Sequence, residues 1–308
     1  LTGETANIKS EAQKLGFNAC GIAQVEKLDS ELPRLKSWLD NGSNGEMSYL
    51  SRNVETWLNP ALLLDGAKSM IVVLQSYYYK EANQQSKFRI ARYALGNDYH
   101  EVIKNKLQLF IDRLKEKYPL SNFRLSVDTS PVKEKVWAQK AGLGWIGKNS
   151  LLINRSLGSF FFIGTVITDI ELEVDQPVSQ TCGNCRKCID DCPTKAIADD
   201  ETFHHIDPRK CMSYWTIEQR ADLTQEQKKN LAENNIFYGC DLCQNVCPFN
   251  QKLKDSTEEK FKPNPDLLRL TDDDFLLLDE DGFKKLFNKS SIKRLKYKGF
   301  KRNLSSFI

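Results

Sequence analysis

A chain of 308 residues with 44 Lys and Arg against 41 Asp and Glu carries a net charge of only +3, too little to mark a nucleic-acid binder on total charge alone. With 40% hydrophobic residues and no apolar run near the ~18 residues that a membrane span needs, it reads as a globular, non-membrane protein of about two domains. Leu1 to Phe17 mixes charges with scattered apolar positions, unlike a signal or transit peptide, so a cytoplasmic location is expected.

In chain order, Ile8, Ala12 and Leu15 recur at helical spacing and Gly16 offers a C-cap before the apolar run Phe17 to Ala23, which predicts a helix and then a strand. Cys20 falls inside that strand and reads as a small buried hydrophobe rather than a reactive thiol. Leu32 to Leu39, with Pro33 near its start, predicts a second helix that stops at Asn41-Gly42, and a loop-like stretch continues to Pro60. Ser69 to Tyr79 predicts a strand of a sheet covered on both faces. Its end, Tyr77-Tyr78-Tyr79, either lines a cleft or packs the strand exit.

A turn at Gly96-Asn97-Asp98 precedes a long amphipathic helix from about His100 to Tyr118, apolar along Val102, Leu107, Phe110, Ile111 and Leu114. Phe123 to Val127 predicts a short strand that delivers Asp128 at its carboxyl end, where α/β folds place chemistry. A helix over Val132 to Ala141 gives way to Gly142-Leu143-Gly144-Trp145-Ile146-Gly147-Lys148-Asn149. That run is read neither as a Walker phosphate loop nor as a dinucleotide fingerprint, but as glycines that let the backbone approach a bulky ligand. Strands over Ser150 to Ile153 and Phe160 to Thr168 close a first domain, residues 1–170.

Cysteines organise the second domain, residues 171–255, entered through the acidic, Pro-containing segment 171–178. Cys182, Cys185, Cys188 and Cys192, the last followed by Pro193, have the spacing of paired iron-sulfur clusters, in which the fourth cysteine ligates the other cube. A second run, Cys240, Cys243 and Cys247 before Pro248, repeats that ending but lacks its first cysteine, which Cys211 supplies. Two [4Fe-4S] cubes need eight thiolates, and the crossover rule gives Cys182, Cys185, Cys188 and Cys247 to one and Cys192, Cys211, Cys240 and Cys243 to the other. The competing readings are disulfides, which suit small secreted chains, and structural zinc, which takes separated Cys pairs often with His. Thr216 to Asn234 is a polar, helix-favouring insertion. Residues 256–308 end in a basic tail, with nine Lys or Arg from Lys284 to Arg302 behind six acids from Asp272 to Asp281.

Three stretches together carry a resemblance: Val127-Asp128-Thr129-Ser130-Pro131-Val132, the run Ala141 to Asn149, and the two cysteine runs with Cys211-Met212-Ser213-Tyr214 between them. From Ile8 to Asn303 the chain resembles the epoxyqueuosine reductases, whose fold is similar to that of the reductive dehalogenases. The resemblance implies an α+β protein: a nitroreductase-like cobalamin-binding α/β domain, then a two-[4Fe-4S] ferredoxin-like domain and a basic C-terminal tail. It implies an oxidoreductase that reduces the epoxide of epoxyqueuosine at the tRNA wobble position to queuosine, the last step of queuosine biosynthesis, using cobalamin fed with electrons by the two clusters.

By the same resemblance Asp128 is the proton donor. A donor must be neutral, so a pKa raised by an apolar pocket or a neighbouring charge is expected; the plainer role is a cap on the following helix. Corrin contacts are implied at Ala91, Asp128, Leu152, Ile163, Ser213 and Asp241. Trp57 stands where relatives commonly carry Arg, replacing a charge-assisted donor by a ring that can only stack. The tail from Ile292 to Asn303 also matches, and its cations suit tRNA phosphates, the plainer reading being a solvated basic helix. The Cys182 cluster is expected nearer the corrin and the other nearer an external donor such as flavodoxin or ferredoxin, in a monomer. The rival readings are a corrinoid reductive dehalogenase, whose acid is typically a tyrosine, and a ferredoxin fused to a ligand-binding module without catalysis.

Overall fold

The computed structural model describes residues 2–80, 82–198 and 206–308. Helix α1 (Thr2–Lys14) ends at Gly16, whose φ of +80° favours glycine, and the chain turns into β1 (Ala19–Gln24). Helix α2 (Leu32–Asp40) starts on Pro33. The stretch read as loop up to Pro60 contains two short helices, α3 (Tyr49–Arg52) and α4 (Val54–Leu58), too short to show a period in sequence.

Strand β2 (Ser69–Ser76) is buried at every position. After it come β3 (Arg89–Ile90), α5 (Tyr99–Lys117), β4 (Phe123–Ser126), α6 (Glu134–Lys140), β5 (Trp145–Ile146), β6 (Leu152–Ile153) and β7 (Phe161–Thr168). The main sheet runs β1-β2-β7-β4 with every neighbouring pair antiparallel. Helices α1 and α5 cover one face, and α4 and α6 cover the other. Double coverage therefore explains the continuous apolar run of β2, although the pairing is antiparallel. Tyr77 packs between Phe160 and Phe162, with ring centroids 6.0 and 4.5 Å away, and the Tyr79 hydroxyl donates to the Glu258 carbonyl at 2.9 Å, so these two rings pack the strand exit.

The glycine run approaches the protein's own chain rather than a ligand. A Cβ on Gly144 would stand 2.2 Å from the Ile153 carbonyl oxygen, one on Gly147 2.6 Å from Ile153 Cδ1, and one on Gly142 2.6 Å from the Gln176 carbonyl oxygen. These glycines let β5 pair with β6 and the 175–176 segment lie alongside. Gly142, Gly144 and Gly147 do keep Gly-x-Gly-x-x-Gly spacing, but they lead from α6 into β5, the reverse of the strand-to-helix order a dinucleotide site needs.

The second half holds α7 (Lys187–Asp190), α8 (Met212–Ile217), α9 (Gln225–Glu233), β8 (Ile236–Tyr238) and α10 (Leu242–Asn245). Helix α9 opens with a capping box between Thr224 and Gln227. Strand β8 pairs in parallel with β3, which stitches the cluster region to the first half. Helices α11 (Pro265–Arg269), α12 (Asp272–Leu277), α13 (Glu280–Phe287) and α14 (Lys296–Leu304) close over that seam with an aromatic core. In it Phe237 meets Phe300 at 5.2 Å and Phe88 meets Phe275 at 5.6 Å, both edge to face. Among the described residues no helix is long and apolar enough to cross a membrane.

Candidate functional site

Asp128 follows β4 with φ +56°, a conformation that costs a non-glycine residue energy and clusters at functional sites. It caps no helix: Lys133 precedes α6, and no side chain caps that end. Instead its Oδ2 accepts from the Tyr99 hydroxyl at 2.9 Å and faces Nε2 of His100 at 3.1 Å. His100 Nδ1 lies 2.7 Å from Oδ1 of Asp98, and that oxygen also accepts from the His100 backbone N–H to cap α5. Oδ2 of Asp98 pairs with Lys293 at 3.2 Å, and Lys293 reaches Glu101 at 2.9 Å. The first turn of α5 thus brings consecutive residues onto Asp128.

Burial works against a charge on His100, but hydrogen bonds and charges from Asp128 and Asp98 raise it to about 9. Burial pushes Asp98 upward, yet the His100 contact draws it down to about 2. For Asp128 burial again raises the pKa, but hydrogen bonds from His100 and Tyr99 and the charges of His100 and Arg294 leave it below the ordinary carboxylate range. The expected upward shift is thus overturned, because the imidazolium outweighs the burial. Glu134, at the start of α6, is the neighbouring carboxyl that burial does raise, to about 8, and its Oε1 has no hydrogen-bond partner. The sequence reading missed His100, Tyr99 and Glu134 as site residues. The available signals were the turn Asp98 before a helix and the scarcity of His, three in the chain.

The thiols fall into two groups. Burial lifts Cys188 to about 11, and the charges of Cys182, Cys247 and Cys185 add to it. Cys247 faces Cys182 and Cys185 and packs with Trp145 and Ile153. Burial lifts Cys240 to about 12, with Cys211 and Cys192 beside it. Cys243 faces Cys240 and Cys211, and also feels Cys188, so the groups adjoin. Each group of four fits a cubane cluster, since burial makes bare thiolates costly and iron offsets that cost. Among the described residues no group of three or more His, Cys, Asp or Glu closes on a single metal ion; a cube spreads its ligands over four irons. Cys20 is half-buried in β1, packed against the core, and desolvation pushes its thiol up to about 12.

Of the positions implied for a corrin, Leu152 and Ile163 share one packed cluster, and Ile163 is the single position of β7 that is not fully buried. Ala91 and Asp241 meet through Arg92, whose backbone N–H donates to Asp241 Oδ2 at 2.7 Å. Gly239 lies so near Ala91 that a Cβ on it would be 2.5 Å from the Ala91 Cβ. Ser213 is in the first turn of α8, two residues after Cys211. Half-buried Trp57 lies on α4, and no hydrogen bond or ring contact joins it to these residues. Leu152 and Ile163 offer apolar surface and Asp241 a polar group, the two kinds of lining that a planar macrocycle bearing amide arms asks for.

The tail is not a free basic helix. Ile292, Phe300, Asn303 and Leu304 are fully buried, Arg294 pairs with Glu218 at 2.8 Å, and Arg302 donates to the carbonyls of Trp215 and Gln219. Lys296, Lys298 and Lys301 remain exposed.

A sequence model of a 4Fe-4S double cluster binding domain matches residues 181–250, and one described as Epoxyqueuosine reductase QueG, DUF1730 matches residues 58–129. An epoxyqueuosine reductase of Cellulophaga algicola is 45% identical over 297 residues, 96% of this chain and 95% of that protein. A crystal structure of an epoxyqueuosine reductase with an epoxyqueuosine-modified tRNA-Tyr stem loop superposes with a TM-score of 0.89 at 27% identity, over 99% of this chain and 81% of that one. The Bacillus subtilis enzyme, solved with its catalytic aspartate loop swung out of the active site, superposes with a TM-score of 0.87 at 26% identity, over 99% of this chain and 81% of that one.

Proposed function

The chain belongs to the epoxyqueuosine reductase family, and from that premise we infer that it reduces the epoxide of epoxyqueuosine in tRNA to give queuosine. The observation that carries the reading is the hydrogen-bonded set Asp98, His100, Asp128 and Tyr99, placed in a chain that also gathers eight thiols into two groups of four. When bound, cobalamin supplies the two-electron reducing centre that epoxide opening requires, and the two [4Fe-4S] clusters supply its electrons singly. Ala91, Leu152, Ile163, Ser213 and Asp241 would hold the corrin. Cys182, Cys185, Cys188 and Cys247 would hold one cluster, and Cys192, Cys211, Cys240 and Cys243 the other.

Opening a carbon–oxygen bond leaves an alkoxide-like oxygen that needs a proton. Asp128 Oδ2 takes both hydrogen bonds, while Oδ1 accepts none among the described residues and is the face left for substrate. Near neutral pH the proton resides on His100. As negative charge builds on the substrate oxygen, His100 Nε2 gives its proton to Asp128 Oδ2, and the neutral carboxyl turns about its Cβ–Cγ bond to hand that proton to the substrate. Asp98, held by Lys293, orients the imidazole and favours its charged form. The left-handed backbone at Asp128 suits a loop that swings, as the Bacillus subtilis relative's does.

The same reading makes residues 1–170 a nitroreductase-like domain, 171–255 the cluster domain and 256–308 the tail of a cytoplasmic monomer, with the Cys182 cluster nearer the corrin and the other facing a flavodoxin-like or ferredoxin-like donor. The exposed Lys296, Lys298 and Lys301 would meet tRNA phosphates. The test is turnover of epoxyqueuosine-containing RNA by the reconstituted protein. Asp128→Asn should keep its fold and its cluster and corrinoid absorbance and lose about 100-fold or more in turnover. Normal turnover by that variant removes Asp128 from the mechanism, and an inactive wild type removes the function.

A further inference from the structure

Residues 45–47 lie against α8. The Glu46 backbone N–H donates to the Tyr214 hydroxyl at 2.7 Å, and a Cβ on Gly45, which has φ +53°, would stand 2.4 Å from that hydroxyl oxygen. Met47 packs against the cluster of Met212 and Tyr214. One helical turn beyond Tyr214, Glu218 holds Arg294 at 2.8 Å. Arg294 directly follows Lys293, which is tied to Asp98 and so to His100 and Asp128. Two adjacent residues of the Ser291–Leu295 turn therefore divide: Lys293 joins the proton path, and Arg294 joins α8.

Two groups at this place are fixed yet open. Arg294 keeps 44% of its side chain exposed despite its ion pair, and Tyr49 is 46% exposed. The Tyr49 hydroxyl lies in the fields of Glu218, Arg294 and Asp128. A single exposed aromatic ring is ordinary. A ring beside an oriented guanidinium, both within electrostatic reach of Asp128, is what a single-stranded nucleotide asks for: a face for its base and a cation for its phosphate.

We propose that Tyr49 and Arg294 seat the nucleotide next to epoxyqueuosine, Tyr49 by stacking on its base and Arg294 by pairing with its phosphate. The seat rests on the reading of tRNA as substrate and adds the residues that orient it. By anchoring the neighbour, they hold the RNA strand on the enzyme.

The holoenzyme is titrated with an epoxyqueuosine-bearing anticodon stem loop, and kcat and KM are measured on the same RNA. Tyr49→Ala should weaken binding by about 5- to 150-fold, the range one stacked base carries, and raise KM with little change in kcat. Tyr49→Phe, which keeps the ring, should restore most of the binding. Arg294→Ala should lower the slope of log affinity against log salt by about 0.7, one phosphate on a single strand, and Arg294→Lys should return it. If the wild type binds and turns over the stem loop while Tyr49→Ala and Arg294→Ala match it, with absorbance and melting temperature intact, the seat falls alone. If the wild type does not turn over this RNA, the parent reading falls and the seat with it.

Discussion

His100 stands between two carboxylates, 2.7 Å from Asp98 and 3.1 Å from Asp128, and its pKa near 9 leaves it charged across the neutral range. A histidine raised from 6.5 stabilises the fold fully below about 6.5 and loses that contribution as pH rises through about 9. Asp98, drawn down from 3.8 to about 2, contributes above about 3.8 and loses its share as pH falls toward 2. Turnover by the wild type should therefore decline as pH passes about 9. His100→Gln should lose that basic limb and reduce kcat by about tenfold or more, leaving KM for RNA unchanged; the check is a pair of kcat–pH profiles. A basic limb that survives in the variant assigns it elsewhere. Asp128 was legible in the sequence through its Asp-Thr-Ser-Pro context. Its partners were not, because the contact between a helix's first turn and a strand end is tertiary and leaves no spacing to read.

The last helix shows how a charge pattern can mislead. Nine cations in the tail suggested a solvated or RNA-facing strip, yet the apolar positions between them are the ones that dock. Asn303 is fully buried, and its amide donates to the carbonyls of Thr216 at 2.9 Å and Phe237 at 3.0 Å, joining α14 to both α8 and β8. Asn303→Ala leaves two buried carbonyls short of a donor, a cost of about 1–3 kcal/mol. At ~2–4 °C per kcal/mol for a chain of this class, thermal melting should show a drop of several degrees. An unchanged melting temperature would mean that water replaces the amide. Strands β1, β2, β4 and β7 and helices α1, α2, α5 and α6 were readable because each carries a period or a cap. The glycine run was readable as close approach, but sequence could not say to what.

At the scale of the whole molecule, the cysteine spacing carried the most information, since ligand number and crossover follow from counting thiols. Cys211→Ser should lower bound iron from about eight to about four per chain while the Cys182 group keeps its cube; iron analysis with spectroscopy of the reduced protein checks this, and full iron content would overturn the assignment. The seam between halves was not legible, because β3 and β8 are each too short to announce themselves. Joining strands about 150 residues apart costs roughly 4 kcal/mol of loop-closure entropy, more than a ladder this short returns. The aromatic core of Phe88, Phe237, Phe275 and Phe300 must supply the remainder, and two of those rings come from the last forty or so residues of the chain. Time therefore runs against chain order in this protein. The segment around Ala91 and Arg92 is synthesised early, but it reaches its final place only after the tail has emerged and closed over it.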